Sequence, residues 1–162
     1  MPVVSRAAPR RSFLGHLAAI ALVGWESPVA SALADDDLRS LMPRIMHAWD
    51  DLDPATAAPY YAKDPKLVFY DDAPLKYIGW EAYARGVKKE FAGYKSFATT
   101  LNDDIDVHRV GDAFAWGTAT WRAKGVKLDG SSEMVDGRWT VCFEKRDGKW
   151  LIVHEHVSVP TP

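Results

Sequence analysis

From Ser96 onward the chain alternates apolar and polar residues with a period of two, and this pattern constrains its fold more than any other feature. The alternation fills four segments, about 97–110, 113–125, 132–146 and 149–158. Successive side chains of a strand point to opposite faces, so such segments read as half-buried strands. Gly111-Asp112, Leu128-Asp129-Gly130 and Asp147-Gly148 stand at the joints, and these residues supply the backbone geometry of tight hairpins. A meander of long antiparallel strands is the expected result. Ahead of it the spacing is helical: Leu38, Leu41, Ile45, Met46 and Trp49 predict an amphipathic helix over 36 to about 51, with aspartates at its front where the helix dipole favours them. Asp53-Pro54 predicts the start of a second, short helix reaching about Tyr61. Residues 66–70 read as a short strand with 75–78 pairing back on it. A third helix after Gly79 places Trp80, Tyr83, Val87 and Phe91 on one face. Helices first and a large sheet after make an α+β domain whose helices cover one face of a curved sheet.

Residues 1–34 have a different character. Arg10-Arg11-Ser12-Phe13-Leu14 precede an apolar stretch to Val23, and Ala32-Leu33-Ala34 stands before three aspartates. A basic start, a short apolar core and a small-residue cleavage site describe an export signal. The paired arginines resemble the twin-arginine type, with Gly15 and Pro9 as departures from its usual pattern. The apolar run is shorter than the roughly 20 residues a membrane span needs. Cleavage after Ala34 leaves a single domain, 35–162, expected in the periplasm or outside the cell and without a membrane partner. Without the leader's three arginines and one glutamate the formal charge of −2 becomes −4, which argues against a nucleic-acid partner. Cys142 is the one cysteine, so a disulfide framework and Cys-built metal clusters are excluded.

The last segment carries the candidate chemistry. On strict alternation Trp150, Ile152, His154, His156 and Ser158 share one face, and Leu151, Val153, Glu155 and Val157 the other. The first set grades from apolar to polar, as the closed end and mouth of a pocket would. In the preceding segment Arg138, Thr140 and Cys142 oppose Trp139, Val141 and Phe143, and a bulge would shift either register. Three readings of His154 and His156 stand: structural histidines at a strand end, metal ligands with Asp71, Asp72 or Glu133 as a third, or donors and acid/base groups of a pocket. Nothing fixes a third ligand, so no metal or other cofactor is assigned. Asp71 and Asp72 either stop the first strand as turn residues or supply one carboxyl whose pKa an apolar wall raises into the proton-transfer range. Adjacent strand residues face opposite ways, so one of the two is expected to enter a pocket. Tyr60 and Tyr61 add a hydroxyl there or pack as amphipathic side chains. Arg138 holds an anionic ligand or pairs with Glu133 or Asp136.

The order of elements and several strings resemble the SnoaL-like branch of the nuclear transport factor 2-like superfamily, which includes ketosteroid isomerase-like proteins. The strings are Asp64-Pro65-Lys66-Leu67-Val68-Phe69-Tyr70-Asp71, Gly79 before the third helix, and Gly137-Arg138-Trp139-Thr140 running on to Gly148-Lys149-Trp150 and His154-Glu155-His156-Val157-Ser158. The last is also similar to the association domain of calcium/calmodulin-dependent protein kinase II. The resemblance spans about Leu38 to Pro160 and implies a cone-shaped, curved mixed sheet wrapped around three N-terminal helices, in a homodimer. It further implies a carboxylate near the end of the first strand as the proton carrier, which falls on Asp71 or Asp72, while Trp116 and Thr118 stand where the isomerase has its oxyanion pair. The expected function is binding of a small, partly apolar organic molecule in a cavity lined by Trp49, Trp116, Arg138, His154, His156 and Ser158. Isomerase, cyclase or hydratase chemistry would use an aspartate as base and a histidine donating to the oxyanion. A non-catalytic oligomerising or binding module is the alternative from another class. The metal-free iota-class carbonic anhydrases are similar too: their His-x-Ser falls on His156 and Ser158, but Val68 and Gly86 stand where they carry a threonine and a tyrosine.

Overall fold

The structure, a computed structural model, describes residues 28–72 and 74–160, with side chains from Leu38 onward. Most of the segment read as an export signal lies outside the described residues. The first helix, α1, spans Pro28–His47 and buries Leu38, Ile45 and Met46 of the residues whose spacing predicted it, together with Met42, while Leu41 is partly buried. The residue at which cleavage was expected, Ala34, falls within that span. Asp53 caps α2, Pro54–Ala57, accepting a hydrogen bond from the Ala55 N–H at 3.1 Å, and a single 3-10 turn over Ala58–Tyr60 follows. Strands β1, Val68–Tyr70, and β2, Tyr77–Ile78, form a small antiparallel pair ahead of α3, Trp80–Phe91. Five more strands complete the chain: β3 Tyr94–Leu101, β4 Asp106–Val110, β5 Phe114–Lys127, β6 Ser132–Arg146 and β7 Lys149–Ser158. No helix among the described residues is long and apolar enough to cross a membrane.

The seven strands make one mixed sheet in the order β2-β1-β7-β6-β5-β3, with β4 also pairing β5. β1 runs parallel to β7 and the other pairs are antiparallel. The α+β architecture, three helices followed by a curved mixed sheet, is therefore as expected. One segment departs from the sequence reading. The stretch 97–110 is two strands, because Asp104 between them turns its carboxylate onto Thr120, accepting from the backbone N–H at 2.9 Å and from Oγ1 at 2.8 Å.

The helices cover the face of the sheet that presents Ala115, Ala119, Trp121 and Ala123 from β5 and Trp139, Val141 and Phe143 from β6. Burying a large apolar side chain of this kind stabilises by about 1.5–3 kcal/mol. Close approach is built in at Gly117, where a Cβ would lie 2.8 Å from the Met42 sulfur of α1. The second departure is in β7. Cys142 pairs with His154 but Phe143 with Ile152, leaving Val153 as an extra residue. This bulge changes the phase of the strand. Trp150 and Ile152 face inward as read, but beyond Val153 the inward residue is Glu155, 2% exposed, and His156 is exposed. The expectation that His154, His156 and Ser158 continue the face of Trp150 and Ile152 is thus corrected: the bulge carries them to the opposite side of the sheet.

Candidate functional site

A cavity of about 180 Å³ lies between the helices and the covered face of the sheet. Its helical wall is aromatic: Trp49 after α1, Tyr83 and Phe91 from α3, then Tyr94 and Phe97 from β3. The sheet contributes Thr99, Trp121, Val135, Trp139, Glu155 and Val157. At the rim stand Asp71, Asp72, Glu90 and Glu133. Thr99 is satisfied without a ligand, since its hydroxyl reaches Asp50 at 2.7 Å and its N–H the same oxygen at 2.8 Å.

Asp71 reaches the cavity because β1 alternates. Phe69 is fully buried, Tyr70 faces the other side, and Asp71 follows on the side of Phe69. Asp72 lines the cavity as well, although one aspartate was expected there. The strand ends at Tyr70, so alternation no longer governs Asp72, whose N–H turns back to donate to Asp71 Oδ1 at 2.9 Å. Burial pushes the Asp71 carboxyl up to about 8, helped by repulsion from Asp72, Glu155 and Glu90 and opposed by the Asp72 N–H. Glu90 is raised too, by burial and by Asp72 and Glu133.

Glu155, like Glu90, is a site group the sequence reading missed. The Glu155 carboxylate accepts from the Tyr61 hydroxyl at 2.9 and 3.1 Å and from Trp139 Nε1 at 2.9 Å, and the nearby Tyr83 hydroxyl favours its charged form. Trp49 Nε1 in turn donates to the Tyr61 oxygen at 3.3 Å. Burial raises the Glu155 pKa while these donors hold it down. The available signal was a carboxylate on the otherwise apolar set Leu151, Val153 and Val157.

Of the residues singled out, the structure brings Trp49, Asp71, Asp72 and Glu133 to the cavity and sets Tyr61 directly behind Glu155. Tyr60 is half-buried against the core and is not part of the lining. His154 and His156 lie outside it: His154 Nδ1 donates to the Val68 carbonyl at 2.7 Å, and both rings make edge contacts with Tyr70 at 5.6 Å. Trp116 stacks on His108 at 4.1 Å on that same uncovered face. Arg138 pairs through the backbone with Thr120 and Ser158 there and is exposed. Asp136, proposed as its partner, is held by Arg122 at 2.7 and 2.9 Å.

Comparison with known proteins agrees with this geometry. The model of the SnoaL-like domain matches residues 38–162. The chain belongs to the SnoaL-like domain family, within the nuclear transport factor 2-like superfamily. Among solved structures this SnoaL-like domain resembles a nuclear transport factor 2-like superfamily protein from Salmonella enterica serovar Typhimurium, with a TM-score of 0.74, 20% identity, and 82% of this chain and 94% of that chain covered. The association domain of calcium/calmodulin-dependent protein kinase II from C. elegans superposes with a TM-score of 0.62 at 19% identity, covering 82% and 100%. A proposed scytalone dehydratase from Novosphingobium aromaticivorans does so at 0.66 and 12%, covering 82% and 87%. These similarities establish the fold. No curated protein matches the chain in sequence.

Proposed function

We propose that this SnoaL-like domain binds a compact, partly apolar organic molecule between its helices and its sheet, and that Asp71 moves a proton on it. The observation that carries the reading is the position of Asp71, a carboxyl at the end of β1 facing an aromatic cavity. With a pKa near 8 it is present in both forms around neutral pH, which suits a group that takes a proton and returns it. Glu155 and its phenol and indole donors form the polar floor beneath that position. An engineered apolar cavity of about 150 Å³ accommodates benzene, so a single-ring molecule matches the space. The chemistry is an isomerisation or dehydration that begins with loss of a proton next to a carbonyl. The test is exchange of deuterium from heavy water into single-ring enones and ketones, followed by NMR. Asp71→Asn should lower the exchange rate at least about 100-fold, the usual scale for a general base. Exchange at the buffer rate with every compound, or unaffected by Asp71→Asn, removes the reading.

We further propose that the mature protein starts at Asp35, is exported, and pairs through the uncovered face of β5, β6 and β7, on which no element of the described chain packs over Trp116, Thr118, Arg138, Thr140, His154 and His156. The resemblance of this chain to dimeric proteins of its superfamily supports the pairing. Protein recovered from outside the cytoplasm should have an intact mass beginning at Asp35 and sediment at twice that mass. A monomer, or a full-length mass, contradicts the corresponding half.

A further inference from the structure

We infer that the cavity binds an organic cation, a protonated or quaternary amine that also carries an oxygen acceptor. This names the class of occupant for the cavity already proposed as the site and rests on that reading. Three features of the lining converge on it.

The first is a continuous aromatic belt. Ring centroids follow one another from Tyr83 to Trp49 at 5.7 Å, Trp49 to Phe91 at 6.3 Å, Phe91 to Phe97 at 5.4 Å and Phe97 to Tyr94 at 5.5 Å. Aromatic faces attract cations, most strongly where water is excluded. The second is charge. Asp71, Asp72, Glu90, Glu133 and Glu155 line the cavity, and among the described residues no lysine, arginine or histidine does. Lys127 reaches Glu133 at 2.6 Å from outside the lining and offsets one of them. Oxygens of Asp71, Asp72 and Glu90 come within 4.8 Å of one another, a separation at which like charges repel and favour protonation. A cation among them relieves that repulsion, whereas an anion adds to it.

The third feature is independent of the acids. Trp121 is 8% exposed and lines the cavity, yet its indole N–H has no hydrogen-bond partner. The ring is held over Gly137, where a Cβ would fall 2.2 Å from Trp121 Cζ2. A buried donor without an acceptor is costly, and because the indole nitrogen is itself covered against Gly137, an oxygen on the occupant supplies the acceptor through a small shift of the ring. A bare divalent ion would use neither the belt nor this donor, which favours an organic cation over a metal.

Calorimetry on the purified protein with three probes tests the inference: choline, propyltrimethylammonium as the cation without the oxygen, and dimethylbutanol as the uncharged carbon isostere of choline. Choline should bind at least about tenfold more tightly than dimethylbutanol, with propyltrimethylammonium between them. Trp121→Phe leaves a void in the core and should lower the melting temperature, so its readout is the ratio of the two affinities: choline should fall to the level of propyltrimethylammonium, a selective loss that a void alone does not produce. Glu90→Gln should weaken both cations severalfold. Around pH 7 the heat of choline binding should depend on the buffer, since the cation ionises Asp71 in its setting of Asp72, Glu90, Glu155, Tyr61, Tyr77 and Tyr83. Equal binding of choline and dimethylbutanol, no heat with either cation, or a Glu90-dependent site for calcium or magnesium that choline does not enter each overturns the inference. If uncharged single-ring ketones exchange deuterium while cations fail to bind, the charge class is wrong and the proposed site stands.

Discussion

A carboxyl without solvent contact must be matched donor by donor, and at Glu155 the donors come from two separate parts of the chain: Tyr61 after the 3-10 turn and Trp139 of β6. Glu155→Gln turns an amide N–H₂ toward groups that themselves donate and should cost about 1–3 kcal/mol in urea unfolding. Glu155→Ala leaves all of them unmatched beside a void and should cost more, about 2–5 kcal/mol. An alanine variant as stable as the parent would mean that the network contributes nothing. The sequence showed Asp71 as a candidate because a carboxyl at a strand end is visible locally. It did not show that Glu155 faces inward and His154 outward, since the bulge that decides this is a property of the pairing between β6 and β7. The same lack of pairing information put Trp116, Arg138 and Ser158 with the cavity, when the ladder sets them on the uncovered side.

At the level of elements, the helices and hairpins were legible because each is signalled by neighbouring residues: Asp53-Pro54 for α2, and glycine at positive φ in Gly111, Gly130 and Gly148. The interruption between β3 and β4 was not, because its cause, Asp104 on Thr120, joins residues sixteen apart. A comparable long-range fit joins α3 to β2. A Cβ at Gly86 would fall 2.2 Å from the Tyr77 ring, and Tyr77 pairs with Phe69 of β1, two residues before Asp71. Gly86→Ala should therefore displace the β1–β2 pair, cost about 1–3 kcal/mol as an overpacked site, and lower Asp71-dependent exchange together with stability. Unchanged exchange in a destabilised variant would show that the hairpin does not position the carboxyl.

The molecule as a whole holds protons that its unfolded chain would release. Asp71, Glu90 and Glu155 all have raised pKa values in the folded state, so their stabilising contribution is complete below the unfolded carboxyl range and is lost as pH rises through the folded values, toward about 8 for Asp71. Asp104, Asp129, Glu133 and Asp136 shift the other way. Their effect belongs to more acidic solutions, and solvent screens these exposed groups. The melting temperature should thus be higher at pH 5 than at pH 8.5, and Asp71→Asn should flatten the difference. A parent protein that is more stable at pH 8.5 would contradict the assignment. The bulge at Val153 has a consequence for how such a chain can change over generations. With Glu155 under the helices and His154 and His156 on the open side, β7 belongs to two surfaces at once. One residue gained or lost between the bulge and Glu155 would exchange them, sending the carboxyl outward and an imidazole into the space beneath the helices. Substitutions along this strand can be accommodated one surface at a time, but a change in its length disturbs both.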